Sequence, residues 1–135
     1  MSDKLQKIRA ALESHLNDWV SVPELAIEGQ DFTPSPGALY ATVNLLPRRT
    51  DNPTLTERLR DDGGIYQIGL YFPRGTDTAT CDLLAGSLAA HFEAGTMLEA
   101  GIIKVRIEGT PAIAPGLPVG DRWLVPVSIR YRSIN

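Results

Sequence analysis

The residues that could do chemistry gather at one corner, "FPRGTDTATC" (Phe72 to Cys81), where an apolar strand runs into a helix. A phosphate-cradling loop needs several glycines and a Lys-Ser/Thr pair. This corner has Gly75 alone and no lysine. Arg74 and the helix N-terminus could hold an anion weakly, so a small anion-binding domain using the Pro73–Gly75 corner stays open as an alternative. The nucleophile reading pairs Cys81 with His91, but ten residues of helix rise about 15 Å, far beyond hydrogen-bond reach. Cys81 is therefore expected as a small core residue and His91 as a rim residue beside Phe92. The other histidine, His15, lies on a different helix, and no Cys/His spacing suits zinc. Asp61-Asp62, before Gly63-Gly64, could serve as acid and base, yet a self-solvating turn is the expected role. No catalytic, cofactor-binding or metal-binding residue is assigned, no cofactor is expected, and the chain is not expected to be an enzyme.

These residues are positioned by a legible series of elements. Ser2 can cap a helix starting at Asp3, with Leu5, Ile8, Leu12, Leu16 and Trp19 on one stripe and Lys4, Lys7, Glu13, Asn17 and Asp18 off it. Glu24 to Glu28 reads as a short strand and Gln30 to Gly37 as a loop. "ALYATVNLLP" alternates, with Leu39, Ala41, Val43 and Leu45 on one face, and Pro47 ends it. "GIYQIGLYF" places Tyr66, Ile68, Leu70 and Phe72 on one face and carries aromatics on both, which predicts a central strand. In the helix after Thr76 or Thr78, one of which should cap it, Cys81, Leu84, Leu88 and Phe92 line one face. Ala79, Leu83, Gly86 and Ala90 form a small-residue flank expected to lie close on a sheet, and Gly95 stops the helix. Ile103, Val105 and Ile107 alternate with Lys104, Arg106 and Glu108. Thr110 to Asp121 reads as a loop. The last strand, Arg122 to Arg132, points Trp123, Val125, Val127, Ile129 and Tyr131 one way. Pro126 predicts that this strand is an edge or bulged. The sum is a single α+β domain over 1–135, with a mostly antiparallel mixed sheet of four to five strands and two packed helices.

A chain of 135 residues with 43% hydrophobic and 21% charged residues is ordinary for one globular domain. It should bury roughly 68% of its unfolded surface. One cysteine excludes an intrachain disulfide and fits a reducing compartment. The charged N-terminus is not expected to be a secretory signal, and no apolar run approaches the ~20 residues of a membrane span.

The net charge of −3 is uneven: residues 1–62 carry seven basic and ten acidic groups, 63–101 one and four, and 102–135 five and two. An acidic front and a basic tail fit self-association better than nucleic-acid binding, though ordinary surface scatter explains them equally well. Lys104, Arg106, Arg122, Arg130 and Arg132 would share a face if the last two strands pair. Tyr131 and Trp123 point away from that face, so it offers no stacking platform for bases. The segment Arg48 to Asp62, with a possible helical turn at Thr56 to Arg60, is long enough to be functional or disordered.

The stretch Gly64 to Leu98, "GIYQIGLYFPRGTDTATCDLLAGSLAAHFEAGTML", resembles the tail-terminator-like proteins of tailed bacteriophages. In that group a "Y-x-[IV]" strand meets a "P-x-G" corner, followed by an Ala/Leu-rich helix ending "F-x-x-G". "RWLVPVSIRYR" is similar to the family's closing strand, and the N-terminal helix and "P-R-R-T" fit the same layout. The resemblance implies a structural virion protein of the tail or neck, assembled in the host cytoplasm. It would cap the tail tube as a ring, commonly a hexamer, stop tube growth and present a surface to the head. Implied partners are copies of itself, the tail tube protein and a head completion protein, with no membrane and no sequence-specific nucleic acid. Arg48, Arg49, Arg58 and Arg60 in the long loop, and Arg106, Arg130 and Arg132 on the basic sheet face, are the expected contact residues. Thr110 to Asp121 is a further candidate for touching the tube or the head completion protein. Another neck or tail adaptor is the nearest alternative.

Overall fold

The computed structural model describes residues 4–48 and 61–134. The first helix, α1 (Lys4–Asn17), buries Ile8, Ala11, Leu12 and Leu16, and Trp19 follows just past its end. Position 4 lies one turn before Ile8, so Lys4 falls on the buried stripe while Leu5 is 42% exposed, the reverse of the expected assignment.

Among the described residues eight strands follow: β1 (Glu24–Ile27), β2 (Tyr40–Pro47), β3 (Asp61–Pro73), β4 (Met97–Ala100), β5 (Ile103–Ile107), β6 (Ala112–Ile113), β7 (Leu117–Val119) and β8 (Arg122–Ile134). The second helix, α2 (Thr78–His91), sits between β3 and β4. The sheet order is β1-β2-β3-β8-β5-β4, with β6 and β7 also on β8. Only the β1–β2 pairing is parallel among the described residues. The class is α+β as expected, but the sheet has six to eight strands rather than four to five.

The added strands explain a second correction. β8 is an interior strand. Along one flank it pairs with β3 from Arg122↔Pro73 to Ile134↔Asp61. Along the other it meets β7, β6 and β5 in turn. Pro126 is tolerated because its backbone faces the broken flank, where its carbonyl accepts from Ala114 N–H at 2.9 Å and no continuous ladder demands a donor. Thr110 to Asp121, expected as a loop, supplies β6 and β7. Asp61-Asp62 opens β3 rather than forming a turn.

Alternate residues of the strands build one core cluster with α1 and α2: Val43, Leu45, Tyr66, Ile68, Leu70, Val105, Val127 and Ile129 meet Leu12, Leu16, Leu88 and Phe92. Each such side chain contributes about 1.5–3 kcal/mol by leaving water. Helix α2 buries Cys81, Ala85 and Leu88. The small-residue flank, however, points away from the sheet. Ala79, Leu83, Gly86 and Ala90 are exposed, Leu83 at 75%, and a Cβ on Gly86 would meet nothing within 4 Å.

Candidate functional site

The Pro73–Gly75 corner is a turn and a capped helix. Gly75 takes φ +91, and Thr76 closes the turn with its hydroxyl donating to the Pro73 carbonyl at 2.8 Å. The cap is Asp77, not Thr76 or Thr78: its carboxylate accepts the Thr80 N–H at 3.3 Å. The Thr80 hydrogen bonds hold the Asp77 carboxyl below its usual range. A negative charge thus already stands where an anion would have to sit.

Cys81 is buried, and burial pushes its thiol up, away from the reactive thiolate. His91 is engaged elsewhere, in a pairing no local pattern announces. Its ring stacks on His15 at 4.0 Å between centroids and 10° between planes. Each histidine's Nε2 lies in hydrogen-bond range of the other's backbone carbonyl, at 2.6 and 2.5 Å. Phe92 packs edge-on to both rings. Trp19 adds a second tie by donating to Ser87 Oγ at 3.0 Å. The helix ends are thereby joined, with the His15 carbonyl also accepting the Asp18 N–H at 3.1 Å. Among the described residues, no group of three or more His, Cys, Asp or Glu is placed to hold a metal ion. No described helix is long and apolar enough to cross a membrane.

The face of the sheet turned away from the helices is graded along its strands. At one end Tyr40 stacks on Tyr71 at 4.7 Å, and the Arg122 guanidinium lies over Tyr40 at 5.0 Å. Arg122 does not join the basic face as expected. It is 8% exposed and donates to the carbonyls of Ala38, Ser35 and Tyr71, pinning the loop before β2.

At the other end Lys104, Arg106, Arg130 and Arg132 are exposed together. Arg106 sits directly across from Arg132, a like-charge pair that works against sheet stability. Glu99 lies opposite Lys104, and Glu108 lies 3.5 Å from Arg106, a surface pair worth about 0–1 kcal/mol. Arg48 joins them just past β2. Its N–H donates to the Gly63 carbonyl at 2.8 Å, and its guanidinium would stand 2.7 Å from a Cβ on Gly63. A Cβ on Gly64 would collide with the Leu46 carbonyl and stand 2.9 Å from the Tyr131 hydroxyl. The glycine pair therefore lets β2, Arg48 and Tyr131 close over the start of β3. An open groove of roughly 490 Å³ runs between Leu46, Arg48, Ile65, Arg130 and Arg132. A second, of roughly 230 Å³, shares Arg132 and Glu108 and reaches Met97. Of the expected contact residues, this face brings together Arg48, Arg106, Arg130 and Arg132; Arg49, Arg58 and Arg60 lie outside the described residues.

Beneath this end, on the core side, sequence reasoning missed a buried ion pair. Lys4 Nζ lies 2.8 Å from Asp62 Oδ2 and 3.4 Å from the Ser133 carbonyl. It fastens the start of α1 to β3 and β8. Burial, with the Asp62 charge second, pushes the neighbouring Tyr131 up to about 12.

The described residues form a small α+β protein with a charged face on its sheet and a capped helix corner. Comparison with known proteins gives that class a family. Residues 7–131 match the family described as phage tail terminator protein, and the chain belongs to it. This is a family of phage tail structural proteins, which implies a place in the virion tail. No curated protein matches the sequence. A solved structure 23% identical superposes with a TM-score of 0.79 over 96% of this chain and 94% of the other, which establishes the shared fold.

Proposed function

We propose that the protein caps the finished end of the phage tail tube as a ring, commonly a hexamer, ending tube growth and forming the surface the head joins. It does this without a cofactor and without catalysis. Assembly takes place in the host cytoplasm. The partners are copies of the same chain, the tail tube protein and a head completion protein. The observation that carries this reading is family membership over 7–131, with the exposed basic sheet face as its physical counterpart. A ring needs two different patches on one subunit, repeated until rotation closes it. Arg106, Arg130 and Arg132, with Arg48 beside them and Arg49, Arg58 and Arg60 further along, supply the charge that steers such contacts.

The test is to image tails assembled with and without the protein. Runaway tube length in its absence supports the proposal; tubes of normal length overturn it. Arg130→Glu with Arg132→Glu should not lower the melting temperature, because the second change replaces a like-charge pairing with Arg106 by an opposite-charge one, and should abolish length control. Normal virion assembly by that variant removes the basic face from the contact.

A further inference from the structure

We propose that the exposed face of α2 on one copy docks onto the basic outer sheet face of the next copy, with Leu83 as the apolar anchor resting on the adjacent Leu46–Ile65 pair. This rests on the reading that copies of the chain associate, and it names the two surfaces that meet.

Helix α2 is apolar on both sides. Cys81, Ala85 and Leu88 enter the core, while Ala79, Leu83, Gly86 and Ala90 stand in solvent at helical spacing. The exposed side also carries Thr78, Thr80, Asp82 and Ser87, so the apolar residues form a stripe along it. The flat run of small residues permits close approach, and Leu83, 75% exposed, projects from its middle. An aliphatic anchor of this kind binds best in a groove ringed by polar groups.

The occupant follows from charge. From Gly75 to Gly95 the chain contains Asp77, Asp82 and Glu93 and no lysine or arginine. The outer sheet face carries Arg48, Lys104, Arg106, Arg130 and Arg132 against Glu99 and Glu108. Its roughly 490 Å³ groove has an apolar patch in the cross-strand pair of Leu46, 48% exposed, and Ile65, 36% exposed. An acidic-rimmed apolar ridge thus faces a basic-rimmed apolar groove. The two lie on either side of the core, so one molecule cannot satisfy both by itself. A contact between unlike patches is heterologous and propagates around a ring.

Cysteine cross-linking decides the matter. Leu83→Cys protein and Ile65→Cys protein are oxidised separately and as a mixture; native Cys81, 2% exposed, stays out of reach. The expected result is a disulfide-linked dimer in the mixture and at least about tenfold less in either protein alone. Asp82→Arg on the Leu83→Cys partner should lower the yield, and Arg130→Glu with Arg132→Glu on the Ile65→Cys partner should restore it. Dimers of Leu83→Cys alone would mean that α2 meets α2, and dimers of Ile65→Cys alone that sheet meets sheet; either overturns the proposal. Absence of any cross-link at the highest attainable concentration also overturns it. Each of these failures leaves the tail-capping reading standing, because tube length is measured independently.

Discussion

Lys4 and Tyr66 show how differently two buried polar groups can stand in one core. Lys4 has its counter-charge at 2.8 Å, whereas the Tyr66 hydroxyl, 1% exposed as a residue, has no hydrogen-bond partner among the described residues. Removing Lys4 takes a counter-charge away from the largely buried Asp62 carboxylate. Lys4→Met should therefore destabilise the protein, by up to about 3–5 kcal/mol, and Lys4→Met with Asp62→Leu should recover most of that in denaturant titrations. Tyr66→Phe removes only an unpaired hydroxyl and should leave stability unchanged or raise it by about 1 kcal/mol. The tyrosines also set the alkaline limit. Burial raises both Tyr66 and Tyr131 above the ordinary phenol value. The neutral phenol is favoured in the folded chain, so this stability is intact below about pH 10. It is lost as pH climbs toward Tyr131's value of about 12. The slope is at most about 1.4 kcal/mol per pH unit for each group. Melting temperature should fall across that window, and Tyr131→Phe should flatten the fall.

Among the elements, β3 is the most constrained. Gly64→Ala would press a methyl group into the Leu46 carbonyl and the Pro47 Cα, both backbone, so strands must separate to admit it. A loss of about 1–3 kcal/mol is expected, with weakened amide protection at the open end of β2 and β3. The same strand shows what the sequence reveals and what it hides. β2, β3, β5 and β8 were readable because each alternates between a buried and a solvated face over five or more residues. β6 and β7, two and three residues long, offer no period to read, and prolines around them argue for loop. Arg122 and Lys4 look like surface charges by local pattern. Their burial depends on carbonyls and a carboxylate brought from distant parts of the chain. The His15–His91 pair joins positions 76 apart, and only packing of the two helix ends reveals it. On the basic face, Arg106, Arg130 and Arg132 were legible from alternation alone, while Arg48's place beside them required the Gly63-Gly64 approach.

For the whole molecule, the governing feature is the separation of charge between a basic sheet face and an acidic helix face. Association built on such surfaces should weaken as salt rises, because at physiological ionic strength exposed charges more than about 8 Å apart are largely screened. Sedimentation across a salt series reads this directly. Association that strengthened with salt would instead mark apolar burial as the driving term.

The position of β8 carries a consequence for how copies are made. It is the last of the elements in chain order, yet it lies between β3 and the β5–β4 pair and registers with β3 along its whole length. Until the ribosome releases residues 122–134, the two halves of the sheet have no seam to join them. Partners such as Asp61 and Ile134 must then find each other across most of the polypeptide, a slow kind of closure. A copy that lacks residues 122–134 should therefore fail as a folded body rather than assemble as a defective tile.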